Sequence, residues 1–266
     1  MAQWNKSTQS YLPNGTSLFE VVMIGDEDGN PINSFGAASN IPISGGQIAG
    51  YQYVHKFGAN TDLANGSYET IWDGNNLYPW ATMDTAATTL TTNADVLNNG
   101  AEVTIQGLNE NWELTTEVLT LDGTAQTTQT LWKRVFRAFC SGSQALGAAF
   151  TLSKGATVVL QIGIEAQQTL MSLYTVPAGK SAYLFNLDAT TLKNEEITIV
   201  LKSRLFGKVF RTQHLFQVAG VHYSHTFTSP LYFPEKTDIE LRAKAGSSGV
   251  DTYAHFDMII VDNSTP

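Results

Sequence analysis

Residues 103–123, VTIQGLNENWELTTEVLTLDG, decide the fold class. Val103 and Ile105 alternate with Thr104 and Gln106, the period of two expected of a strand with one buried face. Asn109-Glu110-Asn111 supplies a turn, and the return run puts Trp112, Leu114, Thr116 and Val118 on one side and Glu113, Thr115 and Glu117 on the other. The pattern predicts a β-hairpin with one apolar, buried face and one acidic, solvated face. Leu119 and Leu121 continue on the formerly polar side, which predicts a bulge or a passage from one sheet to another.

The rest of the chain follows the same style. Short alternating runs are separated by turn pairs such as Asp28-Gly29, Asn65-Gly66, Asp73-Gly74, Asn99-Gly100 and Asp122-Gly123. In LMSLYTVPAGKSAYLFNLDA (170–189), Val176-Pro177-Ala178-Gly179 has the residue preferences of a type I turn and predicts a second hairpin, with Leu173 and Tyr183 among its apolar residues. Few segments show a helical apolar period, so the chain reads as all-β. Residues 1–45, weakly patterned and ending near a hinge at Ser44-Gly45-Gly46, read as an N-terminal arm. Two alternating regions follow, an acidic β-sandwich domain at 46–138 and a second β-sandwich domain at 139–266. The small-residue stretch Cys140–Ala149 is the boundary between them.

Composition narrows the function classes. The chain has 266 residues with 15 Lys+Arg against 24 Asp+Glu, a net charge of -9, and one Cys. A single Cys allows no internal disulfide and no cysteine-based zinc site. Net acidity argues against nucleic acid as a partner, since phosphate binding wants a basic face. The first 20 residues lack the apolar stretch of a signal peptide, and no run approaches the length of a bilayer span, which gives the expectation of a soluble protein made in a cytoplasm. The charge is also uneven: residues 1–130 hold two cations and 14 acids, whereas residues 131–266 hold 13 cations and 10 acids. Such a split fits two separate domains, a surface built to meet another charged surface, or a solvated acidic face.

The motifs with chemical precedent do not meet their residue requirements. Gly179-Lys180-Ser181 resembles the end of a phosphate-binding loop, but the first Gly position is Tyr174, Pro177 interrupts the loop and a strand pattern follows. Asp26–Asn30 is rich in oxygen ligands, yet Pro31 and Ala37 stand where a calcium loop needs Gly and Glu. His222 and His225 are three apart and point to opposite faces of a strand, so they do not share a metal. Cys140 follows Val135, Phe136 and Phe139 and reads as a buried, inert thiol. The carboxylate pairs Glu195/Glu196 and Asp238/Glu240 read as solvated turns. Trp72, Tyr78 and Trp80 in SYETIWDGNNLYPW (67–80) flank an Asp-Gly turn, either as core or as a stacking surface for a glycan or partner. The residues imply no catalytic group, cofactor or metal.

Several stretches carry a resemblance: GDEDGNPINSFGAASNIPI (25–43), YQYVHKFGAN (51–60), SYETIWDGNNLYPW (67–80), LWKRVFRAF (131–139), QTLMSLYTVPAGKSAYL (168–184), EKTDIELRAKA (235–245) and FDMIIVDN (256–263), together with the 103–123 segment. In this order the chain resembles β-rich virion structural proteins of tailed bacteriophages, of the marine and cyanophage type. The resemblance implies jelly-roll-like sandwiches and a non-enzymatic virion component, with no catalytic motif to carry over. The expected role is a capsid decoration (cement) or head–neck protein at symmetric positions, contacting major capsid, neck or tail proteins. It is expected in the virion after synthesis in the host bacterial cytoplasm, as a homo-oligomer, most simply a trimer, with no nucleic acid or membrane partner. An arm laid across a neighbouring subunit adds a strand to its sheet edge. The alternative is a receptor- or glycan-binding module of a tail or head fibre, using Trp72, Tyr78, Trp80 and Trp112.

Overall fold

The computed structural model describes residues 8–11, 17–21, 24–25, 31–32, 40–191, 196–218 and 222–264. They fall into two compact units, Met1–Tyr53 and Val54–Pro266. In the first, β1 (Thr8–Tyr11) pairs antiparallel with β2 (Ser17–Val21), and β3 (Ile24–Gly25) with β4 (Pro31–Ile32). The stretch read as an extended arm thus contains two local strand pairs. The predicted hinge closes a short helix, α1 (Asn40–Ser44). Gly46 takes φ +68°, and its N–H donates to the Ile43 carbonyl at 3.0 Å, the left-handed stop that glycine provides.

The regular structure of the second unit is almost all strand, as the alternating pattern requires, and its first strand begins three residues before the unit boundary. In chain order these are β5 (Tyr51–Leu63), β6 (Glu69–Thr70), β7 (Thr91–Thr92), β8 (Glu102–Asn109), β9 (Leu114–Thr120), β10 (Trp132–Cys140), β11 (Phe150–Lys154) and β12 (Thr157–Ile162). They continue with β13 (Leu173–Thr175), β14 (Lys180–Thr191), β15 (Ile197–Leu205), β16 (Arg211–Val218), β17 (His222–Phe233), β18 (Thr237–Ala245) and β19 (Val250–Asp262). A one-turn helix, α2 (Trp80–Asp84), lies between β6 and β7. Sheet I has the order β17-β14-β19-β5, and sheet II the order β13-β18-β15-β16, with β6 also paired to β18. Two smaller sheets are β10-β8-β9 and β12-β11-β7.

Sheets I and II each bury one face in a shared core. Leu184, Leu187 and Ala189 of β14 and Phe256, Met258 and Ile260 of β19 contribute from sheet I, Ile199 and Leu201 of β15 and Ile239 and Leu241 of β18 from sheet II. Leu184 and Leu187 are an odd number of residues apart and would face opposite ways on a regular strand. The register shift between Leu184 and Asn186 turns both inward.

The domain boundary at 138/139 is corrected by this topology. Strands from before it pair with strands from after it: β6 with β18, β7 with β11, and β5 with β19. The small residues of 140–149 serve close packing rather than a linker. A Cβ on Gly147 would lie 2.6 Å from the Leu97 carbonyl oxygen, and Leu146 is buried with its N–H held by Gln167 at 2.8 Å.

The hairpin at 103–123 forms, but its faces are the reverse of those predicted. Val103 stands opposite Leu119, and Ile105 opposite Glu117, with no shift in register. Directly paired residues point to the same side, so Leu119 and Glu117 follow Val103 and Ile105 toward the core. Glu117 tolerates that side because its carboxylate accepts the backbone N–H groups of Gln129 at 2.8 Å and Thr130 at 2.9 Å. Leu114 and Val118 are left exposed. Leu119 and Leu121 therefore continue the core face, and the bulge proposed for them is unnecessary.

The segment 170–189 is a crossing rather than a hairpin. β13 pairs with β18 in sheet II, whereas β14 pairs with β17 and β19 in sheet I. Val176 N–H donates to Thr237 at 3.0 Å and Ala178 N–H to Trp112 at 2.9 Å, so the connection is satisfied by other segments. Turn preferences report a local reversal of the chain and say nothing about which strand it meets next.

Candidate functional site

The three aromatic candidates lie in the core. Trp72, Tyr78 and Trp80 are 1%, 2% and 5% exposed. Their rings pack edge to face, 5.2 Å between Trp72 and Tyr78 and 4.8 Å between Tyr78 and Trp80, and Trp72 Nε1 donates to the Asn76 carbonyl at 2.8 Å. No ring face remains for a sugar to stack on. The Asp73-Gly74 pair does form a turn, closed by Asn75 N–H on the Trp72 carbonyl at 3.1 Å. Glycine is needed at 74 because a Cβ there would meet the Trp72 ring at 2.1 Å; the positive φ, +51°, belongs to Asn75. Trp112 packs against the core with its ring 4.8 Å from Phe206.

Below Trp80 is a buried ionic network that the sequence reading missed. Arg134 of β10 donates from Nε and Nη2 to both oxygens of Asp238 at 2.9 and 3.0 Å, and from Nη2 to Asp84 at 2.8 Å. Its Nη1 donates to the carbonyls of Met83 at 2.7 Å and Lys133 at 2.9 Å, so the guanidinium has five acceptors for its five N–H groups. Arg204 of β15 joins Asp238 at 3.0 Å and Asp84 at 2.8 Å, and Thr175 donates to Asp238 at 2.7 Å. On the same face of β18, Glu240 accepts from Thr70 at 2.6 Å and from Arg242 at 2.8 Å. Burial acts to lower the Arg134 pKa, but the bonds to Asp238 and the charge of Asp84 outweigh it and hold the guanidinium above its ordinary value. Asp238 and Glu240 are therefore fully buried ion-pair partners on a central strand and not a solvated turn. The arrangement holds β10 and α2 against the second face of sheet II.

Lys56 is a different kind of buried cation. Its Nζ donates to the Phe136 carbonyl and lies 5.6 Å from the Phe136 ring centre. Burial, with the neighbouring Arg137 charge, lowers its pKa from 10.5 to about 7. The unfolded chain then binds more protons than the folded one between pH 7 and 10.5, so stability rises across that window and the burial penalty is complete below it. Lys56→Met is expected to stabilise the protein on the order of 2 kcal/mol at pH 6, with the gain shrinking toward pH 10, as read from urea denaturation at each pH.

The remaining polar side chains of note line the outer face of sheet I. His55 of β5, His255 and Asp257 of β19, Asn186 and Asp188 of β14 and His222 of β17 lie across the four strands. His55 Nδ1 lies 2.6 Å from Asp257 Oδ1, Asn186 Nδ2 donates to Asp257 Oδ2 at 3.0 Å, and His222 bonds Asp188. Beside His255 is a shallow cleft of about 160 Å³, lined in part by Phe57, Asp188, Thr190 and Tyr253. Among the described residues, His55, His255 and Asp257 are the three whose ligand atoms converge closely enough to hold a metal ion.

His225 points to the other side of β17 from His222, as the spacing predicts. There it stacks on His214 of β16 at 4.9 Å, beside Phe216 on Tyr223 at 4.0 Å. Burial, then the His225 neighbour, lowers the His214 pKa. Cys140 is half-buried rather than buried, with Sγ 3.0 Å from the Gln144 carbonyl. Gly179 and Lys180 serve the β13–β14 crossing, with Gly179 N–H on Glu235 at 2.6 Å and Lys180 paired to Asp262. The calcium candidate Asp26–Asn30 and Glu195 lie outside the described residues.

No family model and no curated protein matches the chain. Solved structures of the Gx and Gt strains of infectious bursal disease virus are similar at 10% and 11% identity, each with a TM-score of 0.26. The alignments cover 82% and 81% of this chain and 72% and 73% of those chains. The VP2 subviral particle of the same virus is similar at 9% identity and a TM-score of 0.22, over 82% of this chain and 73% of that one. These neighbours are virus-particle proteins; likeness of this depth assigns neither family nor activity. Among the described residues no helix is long and apolar enough to cross a membrane.

Proposed function

We propose that this chain is a non-enzymatic structural component of a tailed-phage particle, a decoration (cement) or head–neck protein that associates at symmetric positions through its sheet edges. The sequence resemblance described above motivates the reading, and one structural observation supports it. β16 and β17 are the edge strands of sheets II and I, and among the described residues each pairs with one neighbour. They adjoin through the Phe216–Tyr223 and His214–His225 stacks, so two long edges run along one side of the sandwich. Leu215 is 56% exposed between Gln213 and Gln217, and the charged side chain of β16 is confined to its start at Arg211. Open edges of this kind are usually blunted by charge or proline; Pro230 interrupts only the far part of β17. A second copy, or a shell protein, gains main-chain hydrogen bonds by adding a strand there. Cyclic closure, most simply a trimer, covers the edge in every copy.

The glycan-binding alternative loses its aromatic site to the core and has no second observation in its favour. The expected result for the double variant Leu215→Lys/Thr226→Lys is a melting temperature within about 3 °C of the parent, since both side chains are exposed. Self-association, read by sedimentation, and incorporation into particles, read by electron microscopy, should each fall at least tenfold. Unchanged assembly would remove the edge mechanism.

A further inference from the structure

We propose that His55, His255 and Asp257 form a three-ligand site for a divalent first-row transition metal, zinc by preference, on the outer face of sheet I. β5 and β19 are neighbouring strands, and His255 and Asp257, two residues apart on β19, point to the same side. The inward partners of that alternation, Phe256 and Met258, are fully buried, which fixes the direction of the other two. His55 Nδ1 is 2.6 Å and His255 Nε2 3.9 Å from the Asp257 carboxylate, and the three ligand atoms all lie within 4.8 Å of one another.

A tetrahedral ion with bonds of about 2.0–2.1 Å requires ligand atoms about 3.4 Å apart. The observed separations bracket that value, so small side-chain rotations complete the geometry without moving either strand. Two imidazoles with one carboxylate are a donor set suited to zinc, cobalt or nickel and poorly suited to calcium or magnesium, which prefer oxygen alone. The exposure of the three side chains is graded: Asp257 10%, His255 33% and His55 41%. The carboxylate is the fixed base of the site and the imidazoles form its solvent side.

Support for the ligands is already in place. Asn186, opposite Asp257 on β14, donates to Asp257 Oδ2 at 3.0 Å and orients the carboxylate, a positioning role. The shift in register that turns Leu184 and Leu187 inward also brings Asn186 to this position. The His55 and His255 ring centres are 4.9 Å apart, near enough to converge on one ion. With three protein ligands, a fourth coordination position faces solvent beside the cleft, open to water or to a side chain of another molecule. A bound ion would tie the edge strand β5 to β19.

The test uses the full chain, stripped with a chelator and then given one metal at a time. Zinc at roughly a hundredfold excess over its dissociation constant should raise the melting temperature by about 5 °C, and calcium or magnesium should not. Cobalt(II) should give visible d–d absorption at one ion per chain. His55→Ala and His255→Ala, both at partly exposed positions that leave the fold intact, should each weaken zinc binding roughly a hundredfold and abolish the cobalt spectrum; Asn186→Ala should weaken binding about tenfold. His222→Ala and His214→Ala should leave both signals unchanged. The proposal is overturned if zinc produces no shift and cobalt no spectrum. It is equally overturned if the signals survive in His255→Ala or disappear in His214→Ala, which would move the metal to the His214–His225 pair.

Discussion

Arg134→Met should lower the unfolding free energy by about 3 kcal/mol, measured by urea denaturation at pH 7. The side chain is buried among Asp238, Asp84 and the Met83 and Lys133 carbonyls, and methionine fills much of its volume while supplying no donor. Breaking one member of a buried ionic cluster is expensive because its partners stay charged and out of water. Arg204 still serves both carboxylates, which places the loss at the low end of the usual range. Arg134→Lys should recover little of it, since an ammonium cannot span two oxygens of Asp238 and three further acceptors at once. A loss below about 1 kcal/mol for Arg134→Met would mean that water reaches Asp238 when the guanidinium leaves, and that the network does not hold β10 to sheet II.

Trp72→Ala should cost about 4 kcal/mol, a fall of roughly 10 °C in melting temperature. The indole is enclosed by Tyr78, by the Gly74 backbone and by its own hydrogen bond to Asn76, so its removal opens a cavity that rigid neighbours cannot fill. The variant also separates two readings of the 67–80 segment. A stacking residue on a binding surface would leave stability nearly untouched and abolish ligand capture, whereas a core residue does the opposite. Calorimetry on the parent and the variant decides between them.

The strand-rich character of the chain was legible because short alternating runs between turn pairs recur along it, the clearest of them at 103–123. The faces of β9 were not, since Glu117 looks like a solvated residue until Gln129 and Thr130 are known to offer it two N–H groups. Asp238 and Glu240, read as a solvated turn, misled for a related reason. Alternation with Ile239, Leu241 and Ala243 is what a strand with one wet face shows, and nothing local says that β10 and α2 cover the other face. The one available hint was Lys133-Arg134 set between Trp132 and Val135-Phe136, cations inside an apolar run. The division of charge along the chain has a partly internal answer: Asp84, from the acidic stretch, pairs with Arg134 and Arg204 from the basic one. The His55, His255 and Asp257 cluster was beyond local reading altogether, because 200 residues separate its two imidazoles and only the β5–β19 neighbourhood joins them.

That neighbourhood bears on how the molecule is made. β19 lies between β14 and β5, so sheet I is incomplete until residues 250–262 leave the ribosome, long after β5. Pairings between such distant segments are slow to form, because a large loop must close before any contact rewards it. During synthesis β5 and β14 wait with the edges they will later give to β19 uncovered, next to copies of the same chain in the same condition. Folding and premature association therefore compete for the same main-chain groups. Insertion of β19 covers those waiting edges and leaves only β17 and the far side of β5 as the outer edges of sheet I.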